Sequence, residues 1–272
     1  MKTERGRKKQ KSNVQPILPQ ETTRSDLPLV EYYAIHIHDR CKIELLLQIL
    51  PSMSAKMSHL KRVENGRILI QPTEVMLSQE LVEKLQTVIS NVCIIKVNVP
   101  LRKPITRQQF LWTKQYWPTA FHCNKQNEAL LDGTFFSIQE QLKIDHFYWE
   151  SKKVGNGRSG CIFVDPNGNV VAKSGARNTP LGHAVMTAIS DLCNYHRIEN
   201  SNVSQYLGTG YDVYLTDEPC AMCAMALVHF RVRRVFYGKR TLSGGVYESS
   251  WRIQEEKSLN HHYTVFRIDK LS

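Results

Sequence analysis

The chain has 272 residues, a formal net charge of +11 and a hydrophobic fraction of 42%. That fraction excludes a wholly disordered chain, and the lack of an apolar run of about 18 residues excludes a membrane-spanning helix. The polar, basic N-terminus argues against a secretory signal, and seven scattered cysteines are unlike a disulfide framework. We therefore expect a reducing compartment, and we place the protein in the nucleus and the cytoplasm.

The first segment, residues 1–25, carries seven basic and two acidic residues, which predicts a disordered basic tail. Three roles are open for such a tail. It solubilises the protein, directs it to the nucleus, or contacts RNA through residues such as Lys8 and Lys9.

The second segment, residues 26–100, has eight basic and eight acidic residues and predicts the order strand, helix, hairpin, helix, strand. This is the ferredoxin-like pattern of an α+β module. The fold serves both RNA-binding modules and plain scaffolds, so it assigns no function by itself. The elements are predicted at residues 29–37, 40–50, 59–71 with its turn at Asn65-Gly66, 77–89 and 92–98.

The third segment, residues 101–130, is a predicted linker in which five basic residues are interspersed with aromatic ones. The rings either pack against a domain, as on an amphipathic helix, or stack on nucleobases while the cations bind phosphates. The candidate RNA contacts in it are Arg102, Lys103 and Arg107.

The last segment, residues 131–272, alternates predicted helices and strands, which indicates a layered α/β domain. Its helices are predicted at residues 134–151, 180–196 and 220–230, and its strands at 161–165, 169–173, 211–215, 235–237 and 264–268.

Three potential metal ligands stand at the starts of two of these helices. Cys220 and Cys223 share one helical face, and the positive end of a helix dipole favours their thiolates. A Cys-x-x-Cys pair alone is also consistent with a redox site. His183, 37 residues before Cys220, adds a third ligand, and three protein ligands with an open fourth position are typical of catalytic zinc.

These residues resemble the zinc-dependent cytidine and tRNA-adenosine deaminases, whose signature is H-x-E followed by P-C-x-x-C. The likeness is clearest at residues 216–229, 231–235 and 259–261, where the chain specifically resembles the non-catalytic subunit of eukaryotic wobble-adenosine deaminases. It implies a cytidine-deaminase-like α/β/α domain with one Zn²⁺ per chain. It also implies a catalytic partner subunit that carries His-Ala-Glu, and tRNA docking by the N-terminal module.

The decisive departure from the family pattern is Val185, which stands where active members have the glutamate that shuttles protons. Valine carries no proton, and loss of a general acid/base typically costs ~10²–10⁴-fold in rate. Glu218, next to the cysteine motif, is the candidate substitute carboxylate. We nevertheless expect the chain itself to be inactive.

A second basic cluster contains Arg231, Arg233 and Arg234. Side chains two residues apart in a strand point to the same face, which predicts that Arg231 and Arg233 share one face. The cluster is either a solvated strand end or a contact for tRNA phosphates.

The favoured hypothesis is a non-catalytic, tRNA-binding and structural subunit of a tRNA adenosine deaminase that converts wobble adenosine to inosine. One alternative is an autonomous zinc deaminase that uses Glu218 as its acid and base. Another is a zinc-stabilised RNA-binding module without a deaminase partner.

Overall fold

The computed structural model of the chain describes residues 13–89, 91–198 and 207–269. These residues form two compact units, one from the described parts of 1–19 and 129–272 and the other from 20–128. Among them, no helix combines the length and apolar character needed to cross a lipid bilayer. The candidate RNA contacts Lys8 and Lys9 lie outside the described residues.

The helices and strands, numbered along the chain, are β1 (Val14–Pro16), α1 (Gln20–Thr23), β2 (Leu29–His36), α2 (Ile43–Ile49), β3 (Val63–Glu64), β4 (Arg67–Pro72), α3 (Gln79–Val88), β5 (Cys93–Pro100), α4 (Arg107–Thr113), α5 (Lys125–Leu131), α6 (Ile138–Gly155), β6 (Gly160–Val164), β7 (Val170–Gly175), α7 (Ala184–Ile198), β8 (Asp212–Asp217), α8 (Ala221–His229), β9 (Arg234–Lys239) and β10 (Thr264–Ile268).

The unit of residues 20–128 contains a four-stranded antiparallel sheet in the order β3-β4-β2-β5. Helix α2 follows β2 and α3 follows β4, so the element order is the one that the sequence predicts for residues 26–100. The turn between β3 and β4 is Asn65-Gly66, with φ of 47° and 72°. Both residue types tolerate positive φ, which is why the dipeptide locates the hairpin.

Residues 101–128 of the predicted linker belong to this compact unit. Thr106 caps α4 by accepting a hydrogen bond from the Gln109 amide. The Trp117 side chain is fully buried, and its indole nitrogen donates to the Lys61 carbonyl at 2.8 Å. This ring therefore packs inward, as the amphipathic-helix interpretation expects. The hydrogen bond satisfies the indole N–H, which is usual for a buried tryptophan.

The other unit is built on a six-stranded sheet in the order β1-β10-β9-β8-β6-β7. Strands β8, β9 and β10 are parallel, and the remaining pairs are antiparallel. Strand β1 lies in the segment predicted as a disordered tail, so residues 14–16 depart from that prediction. Val14 pairs with Ile268 and is 4% exposed, which ties this short strand to the core.

Helices cover both faces of this sheet, which confirms the predicted α/β class with a layered C-terminal domain. On one face, Ile144 and Tyr148 of α6 pack with alternating strand residues such as Tyr214. On the other face, α7 and α8 pack on residues such as Val213. Successive strand residues point to opposite faces, and both faces are covered, so the central residues of the parallel strands are apolar on both faces.

Candidate metal centre

The three predicted metal ligands come together where α7 and α8 begin. His183 directly precedes α7, Cys220 is the N-cap of α8, and Cys223 lies in its first turn. The His183 Nδ1 atom is 3.5 Å from the Cys220 sulfur and 3.4 Å from the Cys223 sulfur. All three ligand atoms lie within 4.8 Å of one another, close enough to bind one ion. Among the described residues, no other group of three such side chains does so.

The chemistry of the donor set fits zinc. Burial, reinforced by the neighbouring Cys220 sulfur, raises the pKa of the Cys223 thiol to about 12. Without a cation this thiol is therefore protonated at neutral pH, whereas coordination to Zn²⁺ deprotonates it. Two thiolates and one imidazole are a common zinc set, and they leave a fourth position for water or another ligand.

The three predicted metal ligands line an open cleft of about 1450 Å³ at one edge of the six-stranded sheet. Strands β8, β9 and β10 run parallel, so their carboxyl ends meet at this edge, a common place for ligand sites in α/β folds. Val185 also lines the cleft, and its side chain is only 4% exposed. An apolar group thus occupies the place beside the metal ligands where active members of the resembled family carry a carboxylate.

Glu218, the candidate substitute carboxylate, is 3% exposed and accepts five hydrogen bonds. Its Oε1 accepts from the amides of Tyr247, Glu248 and Ser249 at 2.7–3.0 Å. Its Oε2 accepts from the Thr241 amide at 3.0 Å and the Ser249 hydroxyl at 2.5 Å. Burial raises the pKa of this carboxyl, but these hydrogen bonds outweigh it and leave the pKa below its ordinary value. Glu218 therefore fastens the 241–249 loop to the end of β8.

The candidate RNA contacts of the other unit are solvent-accessible. Arg102 forms an ion pair with Glu21 at 2.6 Å, with both side chains more than half exposed. Lys103 and Arg107 are exposed, and the Arg107 backbone amide donates to Glu128 at 2.6 Å. An exposed ion pair is weak, so a polyanion can compete with Glu21 for Arg102. The exposed side chains of Lys103 and Arg107 are accessible to the same polyanion.

The three arginines near β9 have different environments. Arg231 adopts a left-handed conformation with φ of 60° in the turn after α8, and β9 begins only at Arg234. The prediction that Arg231 and Arg233 share one strand face is therefore wrong, because the chain turns before the strand starts. Arg233 binds Asp212 at 3.0 Å, and its side chain is half exposed.

Arg234 has a structural environment. Its guanidinium binds the Asp212 carboxylate through Nε at 2.8 Å and through a second nitrogen. It also lies over the rings of Phe136 and Phe236, at 5.7 and 5.5 Å from their centroids. With only 20% of the side chain exposed, Arg234 is occupied within the protein.

We expect Arg234→Gln to lower the free energy of unfolding by about 2–3 kcal/mol, because it leaves the buried Asp212 charge short of one partner. Urea unfolding of the purified chain measures this. Arg240→Gln is the matched control, since Arg240 is 45% exposed and its contact with Glu248 is 3.9 Å long. The control should change stability by less than about 0.5 kcal/mol. Equal losses in both variants would contradict the structural role of Arg234.

Two basic residues of the cleft are not predicted from the sequence. Lys152, near the end of α6, and Arg158, in the turn before β6, both line the cleft with Lys239 at the end of β9. Lys152 and Arg158 are more than 20 residues before His183 and belong to no motif. Only the folded arrangement brings them to the cleft that the predicted metal ligands also line.

Comparison with known proteins agrees with this geometry. Residues 143–239 match the cytidine and deoxycytidylate deaminase zinc-binding region, a span that contains all three predicted metal ligands. The chain is 35% identical over 213 residues to the human probable inactive tRNA-specific adenosine deaminase-like protein 3, a match that covers 63% of this chain and 60% of the relative. It is 30% identical over 190 residues to the tRNA-specific adenosine deaminase subunit TAD3 of Saccharomyces cerevisiae, covering 63% of this chain and 58% of the relative.

The chain thus spans about 60% of the length of these two relatives. A shorter relative, the tRNA-specific adenosine deaminase of Rickettsia bellii, is 36% identical over 112 residues, which cover 39% of this chain and 72% of the relative. The chain therefore belongs to the tRNA-specific adenosine deaminase family, within the cytidine and deoxycytidylate deaminases.

Proposed function

We propose that the chain is the non-catalytic, tRNA-binding and structural subunit of a tRNA-specific adenosine deaminase complex that converts wobble adenosine to inosine. In this complex a partner subunit with His-Ala-Glu performs the chemistry. The chain supplies affinity for tRNA and stability of the heterodimer. The human relative is named as probably inactive, and the yeast relative is named as a subunit, which supports this assignment.

The observation that carries the proposal is Val185. Hydrolytic deamination needs a group that takes a proton from the attacking water and returns it to the base. The residue two places after His183 performs this transfer in the family signature. Here that residue is a buried valine at the wall of the cleft, and it can neither accept nor donate a proton.

Three described carboxylates line the cleft, and each of them is already engaged by other groups of the protein. Glu218 is held by its five hydrogen bonds. Asp217 accepts hydrogen bonds from the hydroxyls of Ser159 and Thr216 at 2.9 and 2.8 Å. Asp269 pairs with Arg267 at 3.0 Å. Each carboxylate has a structural partner, which disfavours an autonomous deaminase.

One zinc per chain would be held by His183, Cys220 and Cys223. In this family zinc activates a water for attack when a proton acceptor stands beside it. In this chain the ligands themselves have a structural task, because one ion would join the start of α7 to the start of α8. A site of this kind stabilises a fold, since metal binding is coupled to folding.

The proposed partners are the catalytic subunit and tRNA, and the proposed locations are the nucleus and the cytoplasm. The exposed Arg102, Lys103 and Arg107 supply a first candidate surface for tRNA phosphates. Arg231 and Arg233 remain candidates in the zinc-bearing unit, whereas the ion pair and ring contacts of Arg234 make it the weakest candidate of the set.

Size-exclusion chromatography of co-expressed proteins tests the assembly. We expect this chain and a His-Ala-Glu deaminase subunit to elute together in a one-to-one ratio. We expect the purified, zinc-loaded chain alone to form no inosine in tRNA. Inosine formation by the chain alone, abolished by Glu218→Gln at unchanged folding, would contradict the proposal and support the autonomous alternative.

A further inference from the structure

The cleft beside the metal ligands has a surplus of basic side chains on its rim. Lys152, Arg158 and Lys239 all line it, and none has a carboxylate partner among the described residues. The Lys152 ammonium lies over the Trp149 ring, 4.5 Å from its centroid, a contact that leaves its charge unneutralised. Arg158 and Lys239 are exposed to solvent.

A fourth cation, Arg240, also lines this rim, and its charge is only weakly neutralised by a neighbouring carboxylate. Its nearest described carboxylate is Glu248, at 3.9 Å. Glu248 already accepts a hydrogen bond from Tyr237 at 2.5 Å and pairs with Arg267 at 2.7 Å. The Glu248 charge is therefore shared, and Arg240 is 45% exposed toward solvent.

The acidic residues of the cleft do not cancel this surplus. Glu218 is turned into the 241–249 loop, and Asp269 is paired with Arg267. Asp217 alone faces the rim without a cationic partner among the described residues, and two hydroxyls bind it. Val185 contributes no charge where a catalytic carboxylate would add one.

Metal binding would leave this balance unchanged. Two thiolates, from Cys220 and Cys223, compensate the two positive charges of a zinc ion, and the His183 imidazole is neutral as a ligand. The potential of the cleft is therefore set by its rim. Low-dielectric walls focus such a potential and concentrate anions.

We propose that this cleft binds the phosphate groups of a single RNA strand and holds them without reaction. The inference rests on the proposed function and names the surface that this unit offers to tRNA. A volume of about 1450 Å³ exceeds that of typical small-molecule pockets. The cleft is open along the carboxyl ends of the β-strands, as binding of an RNA strand requires. Lys152 lies near the end of α6, Arg158 in the turn before β6 and Lys239 at the end of β9, so an RNA strand would meet cations from three segments of the fold.

The test compares two triple variants of the full chain. The first, Lys152→Gln, Arg158→Gln and Lys239→Gln, removes three charges from the cleft. The matched control, Lys143→Gln, Lys173→Gln and Lys257→Gln, removes three exposed charges of the same unit that do not line it. Binding of a tRNA with wobble adenosine and of a ten-nucleotide single-stranded RNA is measured between about 50 and 200 mM salt.

The salt dependence decides the outcome. Each phosphate contact to single-stranded RNA contributes about 0.7 to the slope of log affinity against log salt, so the cleft variant should lose about 2 from the slope. The control variant should keep the wild-type slope with both RNAs. Equal slope changes in the two variants, or none in either, would overturn the proposal.

Two further outcomes distinguish an RNA strand from a free nucleotide in the cleft, and binding in the cleft from the proposed binding of tRNA. Displacement of the ten-nucleotide RNA by equimolar adenosine monophosphate would assign the cleft to a free nucleotide and overturn the strand. A wild-type chain that binds the short RNA through the cleft but does not bind tRNA would contradict the proposed function and leave the cleft site intact.

Discussion

The chain with Cys223→Ser is expected to purify without a full equivalent of zinc and to unfold about 8–16 °C below the wild-type chain. Zinc at about 1,000 times its dissociation constant stabilises a fold by about 4 kcal/mol, and each kcal/mol shifts the unfolding temperature of a domain of this size by about 2–4 °C. Serine replaces sulfur by oxygen at nearly constant volume. Position 223, which is 4% exposed, therefore loses its thiolate ligand for the metal while the packing around the side chain is almost unchanged.

Metal content by atomic absorption and unfolding by calorimetry measure these effects. Cys193→Ser is the matched control, because Cys193 is an exposed cysteine of α7 outside the metal centre. It should keep the zinc and the unfolding temperature. A Cys223→Ser chain that retains one zinc and unfolds as the wild type does would exclude the assigned ligand set.

The Glu218→Gln variant is expected to lose about 3 kcal/mol of stability and to retain its zinc. Five donors converge on this carboxylate, and hydrogen bonds to a charged acceptor contribute about 1.5–3 kcal/mol each when made. Glutamine keeps one acceptor oxygen but turns an NH₂ group toward donors. The 241–249 loop therefore loses part of its attachment to β8.

Urea unfolding and zinc content measure this prediction, with Glu256→Gln as control. Glu256 is exposed, and within the described part of the chain its carboxylate accepts hydrogen bonds only from Ser258, so its variant should change stability by less than about 0.5 kcal/mol. In the mixture with a catalytic partner, Glu218→Gln should reduce inosine formation only as far as it reduces folded protein. A specific loss of turnover at full folding would identify Glu218 as a catalytic residue instead.

The cysteine pair of the candidate metal centre is predictable from local sequence, whereas His183, 37 residues upstream, joins it through the resemblance to the deaminase signature. Cys220 and Cys223 share one helical turn, and Pro219 marks the helix start, so their common orientation follows from helix geometry. The significance of Val185 follows from the resemblance to the deaminase signature, which has its glutamate two residues after the histidine. The alternation of helices and strands likewise follows from the periodicity of apolar residues.

The parts that sequence does not predict depend on contacts between distant segments. Strand β1 has only three residues, too few for a periodic signal, and its partner β10 lies about 250 residues away. Glu218 precedes a helix, and nothing in its neighbourhood indicates that its five donors come from residues 241–249. The Arg234 environment depends in the same way on Asp212 and Phe136, both on other segments.

The central claim is that this chain contributes to deamination without performing it. Inosine formation in a tRNA with wobble adenosine tests it most directly, with this chain alone, a His-Ala-Glu deaminase subunit alone, and the two mixed. We predict inosine only in the mixture. Inosine formation by this chain alone would contradict the claim, because a group other than Val185 would then be transferring the proton.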